Sequence, residues 1–132
     1  MKYLLDTNIC IYYMKGRFDL DKKFESIEDR NALFISEITL AELKYGVAKS
    51  TNPTRNNKTL NNFLSGVQIL PIFNALDIFA QEKARLKKEG QPIDDFDLLI
   101  GASAIINNLT LVTNNERHFE RLKGIRLENW TV

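Results

Sequence analysis

Short apolar runs alternate with longer amphipathic or polar segments along the chain. The runs at 3–5, 32–36, 67–70 and 109–113 are apolar and end at polar residues or proline, which predicts buried strands, and a run at 125–127 predicts an edge strand. The segments between them predict helices at 9–14, 19–30, 38–47, 58–65, 74–89, 95–106 and 114–122. Because strands alternate with helices, the pattern predicts one α/β domain, residues 1–132, with a mainly parallel sheet.

Polar residues at the ends of these segments predict where the helices begin. Thr7 or Asn8 is expected to cap the first helix, and Ser36 or Thr39 opens the helix that follows the second strand. Residues 50–57 are rich in Thr and Asn and include Pro53, which predicts a turn.

Length and composition are those of an ordinary globular protein. The chain has 132 residues, of which 44% are hydrophobic and 27% charged, so it can form a core without disulfides. Its single cysteine excludes a disulfide framework, and no apolar run is long enough for a signal peptide or a membrane span. We therefore expect a cytoplasmic protein. Eighteen basic against 17 acidic residues argue against the strongly basic class of nucleic-acid binders.

Three carboxylates stand in apolar surroundings. Asp6 follows the first strand, Glu42 lies within the apolar pattern of a helix, and Asp97 interrupts the run 96–100. An ionised carboxylate there is costly unless it is paired, hydrogen-bonded or bound to a metal. Helix capping is the alternative use of Asp6 and Asp97, but it cannot explain Glu42, which lies in mid-helix. The three acids together therefore predict a shared site.

The helix that carries Asp97 has a stripe of small residues. Asp97, Gly101 and Ala104 follow one another at spacings of four and three, which places them on one helical face. We expect another stretch of backbone to approach closely above Asp97, so that this face forms the floor of the site.

Carboxylates without cysteine or histidine ligands point to a hard cation, Mg²⁺ or Mn²⁺, and to phosphodiester hydrolysis. The only histidine, His118, lies in a polar segment and is predicted to be on the surface. One histidine excludes a two-imidazole ribonuclease, and neither G-x-S-x-G nor H-E-x-x-H occurs. An aspartyl-phosphate phosphatase would need a second aspartate where Asn8 stands. A non-catalytic interaction module is the better alternative, although all three acids are present.

Four motifs in order carry a resemblance to a known family. They are Leu5-Asp6-Thr7-Asn8, then Ser36-x-x-Thr39-x-x-Glu42 leading to Gly46, then the segment 92–102 around Asp97, and Leu111-Val112-Thr113-Asn114-Asn115 before Phe119. Their order and spacing resemble the PIN-domain nucleases, and among these the VapC toxins of VapBC toxin–antitoxin systems. The likeness covers essentially the whole chain. It implies a three-layer fold in which helices flank a central, mainly parallel sheet.

The resemblance also implies a function. It implies a bacterial toxin that is a Mg²⁺-dependent endoribonuclease. The expected substrate is tRNA, in particular initiator tRNA, and its cleavage would inhibit translation. A VapB-type antitoxin is the implied partner, with the toxin as a homodimer within the assembly. An alternative that keeps the fold without the chemistry is a non-catalytic PIN-fold interaction module.

Residue by residue, the resemblance assigns Asp6 and Asp97 as principal metal ligands, Glu42 as the third acid and Thr113 as a polar residue beside them. Two positions depart from the family pattern. Asn115 stands where many relatives have a fourth acid, with Glu116 and Glu120 following, and Asp94 stands where glycine is common. Asp94 either adds charge at the rim or caps its helix, and we favour the cap.

Basic residues that follow site-forming elements are candidates for contacts with RNA phosphates. They are Lys15 and Arg17 after the first helix and Arg117 after the fourth strand. The alternative is that these side chains are solvated surface charges.

Overall fold

The computed structural model describes residues 1–132, except for the side chain of Arg30. The strands are Tyr3–Leu5 (β1), Leu33–Ser36 (β2), Gln68–Leu70 (β3), Thr110–Val112 (β4) and Arg126–Glu128 (β5). The helices are Thr7–Met14 (α1), Leu20–Glu25 (α2), Glu37–Ala48 (α3), Pro53–Leu64 (α4), Leu76–Lys88 (α5), Asp95–Ile106 (α6) and Glu116–Phe119 (α7). Two short 3₁₀ turns, Arg30–Ala32 and Phe73–Ala75, precede β2 and α5.

The five strands form one sheet in the order β3-β2-β1-β4-β5, and each described pair of neighbours is parallel. The α/β prediction is therefore confirmed. The chain first adds strands on one side of β1 and then crosses back to add β4 and β5 on the other side. The carboxyl ends of β1 and β4 meet where this direction reverses, and such switch points are where open α/β sheets place their ligands.

Apolar residues of the central strands alternate between two cores, one on each face of the sheet. Leu5 and Val112 pack with α1 to α4 on one face, whereas Leu4 and Leu111 pack with α5, α6 and the segment around α7 on the other. This alternation follows from the two-residue period of a strand. The arrangement is the predicted three-layer fold. No helix among the described residues is both long and apolar enough to cross a membrane.

Several predicted helix boundaries were wrong, and the segments 19–30 and 114–122 are α-helical only over Leu20–Glu25 and Glu116–Phe119. The N-cap of α1 is Asp6, which precedes both predicted caps, and its side chain accepts a hydrogen bond from the Thr7 backbone N–H. Helix α4 begins at Pro53 rather than after residue 57, because the Asn52 side chain accepts a hydrogen bond from the Arg55 N–H and proline is well suited to the first helical position. The Ser36 cap of α3 is confirmed by a hydrogen bond from the Ile38 N–H.

Gly101 allows the segment after β4 to pack on α6. A Cβ atom at this position would lie 2.3 Å from Cδ1 of Leu122 and 3.5 Å from a ring carbon of Phe119. Side chains, not the expected stretch of backbone, therefore make the close approach. Both side chains are buried, so α7 is held against α6 beside Asp97.

Candidate active site

Asp6 is the most deeply placed of the three predicted acids. Its side chain lies at the carboxyl end of β1, and the residue is 6% exposed. Oδ1 accepts a hydrogen bond from the Thr7 backbone N–H at 2.9 Å, and Oδ2 accepts one from Thr113 Oγ1 at 2.8 Å. Asp6 thus caps a helix and also faces the site, so the two uses that the sequence left open are combined in one residue.

Thr113 fixes the carboxylate of Asp6 from the neighbouring strand. It follows β4, is fully buried, and its hydroxyl also accepts a hydrogen bond from the Asn115 backbone N–H at 3.0 Å. The Asp6 N–H in turn donates to the carbonyl of Val112 at 2.9 Å, which extends the pairing of β1 with β4 into the site. The position of Asp6 is therefore set by both strands.

Glu42 joins the site through two threonines. Thr7 Oγ1 lies 2.7 Å from Glu42 Oε1 and 3.0 Å from Thr39 Oγ1, so this hydroxyl can donate to the carboxylate while it accepts from Thr39. In the sequence, both threonines stood out only as candidate helix caps and as members of motifs. Their contact across α1 and α3 shows that they orient the third acid.

Asp97 faces the same site from the first turn of α6. Capping does not explain it, because Asp94 is the N-cap of α6 and accepts a hydrogen bond from the Phe96 N–H at 3.1 Å. The preference for Asp94 as a cap is therefore confirmed. The side chain of Asp97 is 32% exposed, which leaves it open to solvent and to a substrate.

Burial and mutual repulsion raise the pKa values of two carboxyl groups at this site and so disfavour their ionised forms. Burial is the main cause that raises the pKa of Asp6 to about 6, and the charges of Asp97 and Glu42 add to it against the lowering effect of the Thr113 and Thr7 hydrogen bonds. The pKa of Asp97 also rises to about 6, first through burial and then through Asp94 and Glu42. A cation placed nearby would therefore stabilise the ionised form of each of these acids.

Oxygen donors of this kind fit a hard divalent cation. In the part of the chain that the structure describes, no three His, Cys, Asp or Glu side chains stand close enough to enclose an ion alone. Mg²⁺ does not need such a cage, since it commonly uses one or two carboxylates, keeps several waters and takes further oxygens from a phosphate. Asp6 and Asp97 would supply the two carboxylates to such an ion, with Glu42 at the edge.

His118 is not the surface residue that the sequence predicted. Its Nε2 atom is buried and lies 3.3 Å from Asp97 Oδ2. Phe119, the next residue, is buried in the core on that face of the sheet, and this anchor turns His118 toward α6. The polar sequence around His118 gave no signal of this, because the apolar contacts that hold α7 come from residues distant in sequence.

The other predicted residues lie around the site. Within the described residues, no hydrogen bond or ion pair links Asn115, Glu116 or Glu120 to the three acids, and their side chains are exposed. Lys15 is exposed at the end of α1 and lines a groove together with Glu42. The candidate RNA contacts Arg17 and Arg117 are also exposed.

Comparisons with known proteins agree with the fold. Residues 3–125 match the family model described as the PIN domain. The chain is 40% identical over 132 residues to "Ribonuclease VapC2" of Rickettsia felis, with 98% of each chain covered. It is 37% identical over 133 residues to "tRNA(fMet)-specific endonuclease VapC" of Shigella flexneri, with 99% of each covered.

Solved structures give the same result. The chain superposes on a chain of the DNA-bound VapBC complex from Salmonella typhimurium with a TM-score of 0.91, 37% identity and 98% coverage of both chains. For VapBC2 from Rickettsia felis, bound to a DNA fragment from its promoter, the TM-score is 0.92 and the identity 39%, with 98% of this chain and 99% of that chain covered.

Proposed function

The chain belongs to the PIN-domain family and, within it, to the VapC ribonucleases, and we propose that it is a toxin that hydrolyses tRNA with a divalent cation. Mg²⁺ is the expected ion, with Mn²⁺ as an alternative, and initiator tRNA is the favoured substrate in the bacterial cytoplasm. The loss of this tRNA would inhibit translation. The tRNA(fMet) specificity named for relatives at 37% and 38% identity supports this choice.

The observation that carries the proposal is the joint position of Asp6 and Asp97. Asp6 lies at the switch point of the sheet, where the charge of Asp97 helps to raise its pKa; the pKa of Asp97 is raised as well, and this second carboxylate remains open to solvent. A non-catalytic module has no need to hold such charges together. A bound divalent cation would polarise a phosphodiester and lower the pKa of a water, so that the water can lose its proton and attack as hydroxide at neutral pH.

The chain's own residues prepare the site for that chemistry. Thr113 and the Thr7 N–H hold the Asp6 carboxylate in one orientation, and the Thr7 hydroxyl does the same for Glu42. Because these two acids are held before substrate arrives, they need little reorganisation during the reaction. The expected products carry 5′-phosphate and 3′-hydroxyl ends.

Cleavage of purified initiator tRNA with Mg²⁺ tests the proposal. The wild-type protein should cut it, EDTA should abolish the reaction, and Asp6→Asn should reduce the rate at least ~100-fold. Asp77→Asn, an exposed acid on α5, is the matched control and should cleave at the wild-type rate. Full cleavage by Asp6→Asn, or no cleavage of any tRNA by the wild type, would contradict the proposal.

A groove beside the site suits an antitoxin segment. It has a volume of about 480 Å³, lies between α1, α3 and α4, and combines apolar side chains with Lys15 and Glu42. We propose that a VapB-type antitoxin occupies it and covers the site, within an assembly that contains a toxin homodimer. The VapBC complexes among the similar structures support the partner.

Gly46 offers a direct test of this partner. It lines the groove, and a Cβ atom there would meet nothing within 4 Å. Gly46→Phe should therefore fill the groove, keep the fold, and weaken binding of a co-expressed antitoxin at least ~10-fold in a titration. Gly46→Ala, which adds one small group, should bind nearly as well as the wild type. Equal affinity for the phenylalanine variant would exclude this groove.

A further inference from the structure

An exposed aromatic ring stands on the turn that follows α1. Phe18 is 51% exposed, and its ring meets that of Tyr12 edge to face, with centroids 5.1 Å apart and planes inclined at 70°. Single exposed apolar residues are common on protein surfaces. This ring differs from an ordinary surface residue in its backbone conformation and in what its neighbour Tyr12 contacts.

The backbone of Phe18 is held in a left-handed conformation, with φ at 59°, that residues with a Cβ atom rarely adopt. The turn before it is fixed, because the Arg17 N–H donates to the Tyr12 carbonyl at 2.9 Å across Gly16 and so ends α1 in a Schellman motif. Half of the Phe18 side chain is nonetheless exposed, so core packing is not the main reason for this conformation. An outlying φ of this kind is a mark of functional sites.

Tyr12 connects this ring to the candidate active site. Its hydroxyl accepts a hydrogen bond from Asn114 Nδ2 at 3.1 Å, and Asn114 directly follows Thr113, whose hydroxyl donates to Asp6. Tyr12 also belongs to α1, the helix that Asp6 caps, and its ring packs partly against the core on that face of the sheet. The pair of rings is therefore fixed to both elements that place the Asp6 carboxylate.

Two cations flank the ring on the same turn. Lys15 and Arg17 are exposed, and they outnumber the one carboxylate among residues 15–19, Asp19. Single-stranded RNA is bound by surfaces of this composition, in which aromatic rings stack on bases and cations contact the phosphates. An apolar segment of a protein would cover the ring but would offer no charge to the two cations. The ring and the charges together therefore favour RNA.

We propose that Phe18 is a stacking platform for an unpaired base of the RNA substrate, and that it positions the strand beside Asp6 and Asp97. The inference rests on the proposed ribonuclease function. One base of the strand stacks on the exposed part of the ring, while Lys15 and Arg17 contact neighbouring phosphates. Because every base has a flat face, this contact holds the strand without reading its sequence.

Steady-state cleavage of initiator tRNA in Mg²⁺ tests the platform. Phe18→Ala should raise KM about 10-fold and change kcat little, because the ring holds the strand in the ground state and in the transition state alike. Phe18→Leu keeps apolar volume but has no flat face to stack on a base, so it should raise KM to the same extent. Phe18→Tyr keeps the ring and should restore the wild-type KM. Urea unfolding of each variant checks the fold.

Fluorescence reports the contact directly and needs no cleavage. In the Asp6→Asn variant, the additional substitution Phe18→Trp places an indole at the platform, and stacking of a base should quench its emission when initiator tRNA is added. The chain's own tryptophan, Trp130, is buried, so Asp6→Asn alone is the control and its emission should change little. An indole that keeps its emission while the tRNA binds would overturn the inference.

The outcomes separate this inference from the function on which it rests. A wild-type KM for Phe18→Ala or for Phe18→Leu would overturn the inference and leave the ribonuclease function standing. If Phe18→Ala cleaves normally but binds a co-expressed antitoxin more weakly, the ring is an antitoxin contact and the inference is overturned as well. If the wild-type protein neither cleaves nor binds tRNA, both function and inference are overturned. A raised KM in the alanine and leucine variants, restored by tyrosine, together with the quenched indole, supports the inference.

Discussion

The ionised carboxylate of Asp6 should destabilise the metal-free protein, and its removal should stabilise the fold. Burial raises the pKa of Asp6 from 3.8 to about 6. One pKa unit corresponds to about 1.4 kcal/mol, so the ionised form costs ~3 kcal/mol of folding free energy at neutral pH. Because the folded-state pKa is the higher one, this cost is absent below pH 3.8, grows as the pH rises to 6, and is complete above pH 6.

The substitution Asp6→Asn would not recover all of this free energy. In this variant, the amide oxygen can still accept a hydrogen bond from the Thr7 N–H, but the amide NH₂ group replaces the oxygen that accepts from the Thr113 hydroxyl. A lost hydrogen bond of this kind costs about 1 kcal/mol. The expected net gain is therefore ~2 kcal/mol at pH 7.5, in a variant that has lost its activity.

Urea unfolding in EDTA, followed by circular dichroism, measures this gain. With a slope of about 2 kcal/mol per molar, the midpoint of Asp6→Asn should lie ~1 M above that of the wild type at pH 7.5. At pH 3.5 the gain should be gone. Asp77→Asn, an exposed control, should show little change at either pH. An equal or lower midpoint at pH 7.5, or a gain that does not depend on pH, would refute the reasoning.

Three further substitutions test packing and hydrogen bonding. Gly101→Ala forces a methyl group onto a buried leucine and should destabilise the fold by ~1–2 kcal/mol in urea unfolding, whereas Gly46→Ala, in open space, should raise its stability slightly. Glu82→Gln disrupts the bidentate ion pair with Arg85 and weakens the hydrogen bond from the Lys123 backbone N–H, so it should lower the free energy of unfolding by ~1–2 kcal/mol. The control Glu89→Gln changes an exposed partner of the same arginine and should lower it by ~0.5 kcal/mol or less. Thr113→Val should slow tRNA cleavage ~10-fold, with Thr113→Ser near the wild-type rate, since the serine keeps the hydroxyl. Equal effects within any of these pairs would contradict the assigned contacts.

The sequence predicted the strands and the longest apolar helix well. Helix α6 spans the predicted residues 95–106, because an aspartate cap stands directly before a continuous apolar segment. Asp6, Glu42 and Asp97 could be singled out because a carboxylate in apolar surroundings contradicts the local pattern, and such contradictions mark sites. Helix α4 begins earlier than predicted because Asn52 and Pro53, which are common in turns, also favour the N-terminus of a helix.

His118 could not have been found in this way. Its neighbours in the sequence are polar, and its position depends on the fit of Phe119 against Gly101, two residues that meet only in the folded chain. The same is true of the contact of Thr7 with Glu42, which joins α1 to α3 over 35 positions. A local sequence pattern carries no information about contacts between residues that are far apart in the sequence.

The hydrogen bond between Thr113 and Asp6 joins residues 107 positions apart. The residues of four strands and six helices of the described fold are therefore synthesised before the ribosome reaches Thr113, which completes this site. Since chains begin to fold from the N-terminus during synthesis, a shorter nascent chain can form β1 and β2 but not the paired ends of β1 and β4. A partly synthesised copy thus lacks the assembled site, and each copy gains the paired ends of β1 and β4 only when its synthesis is well advanced.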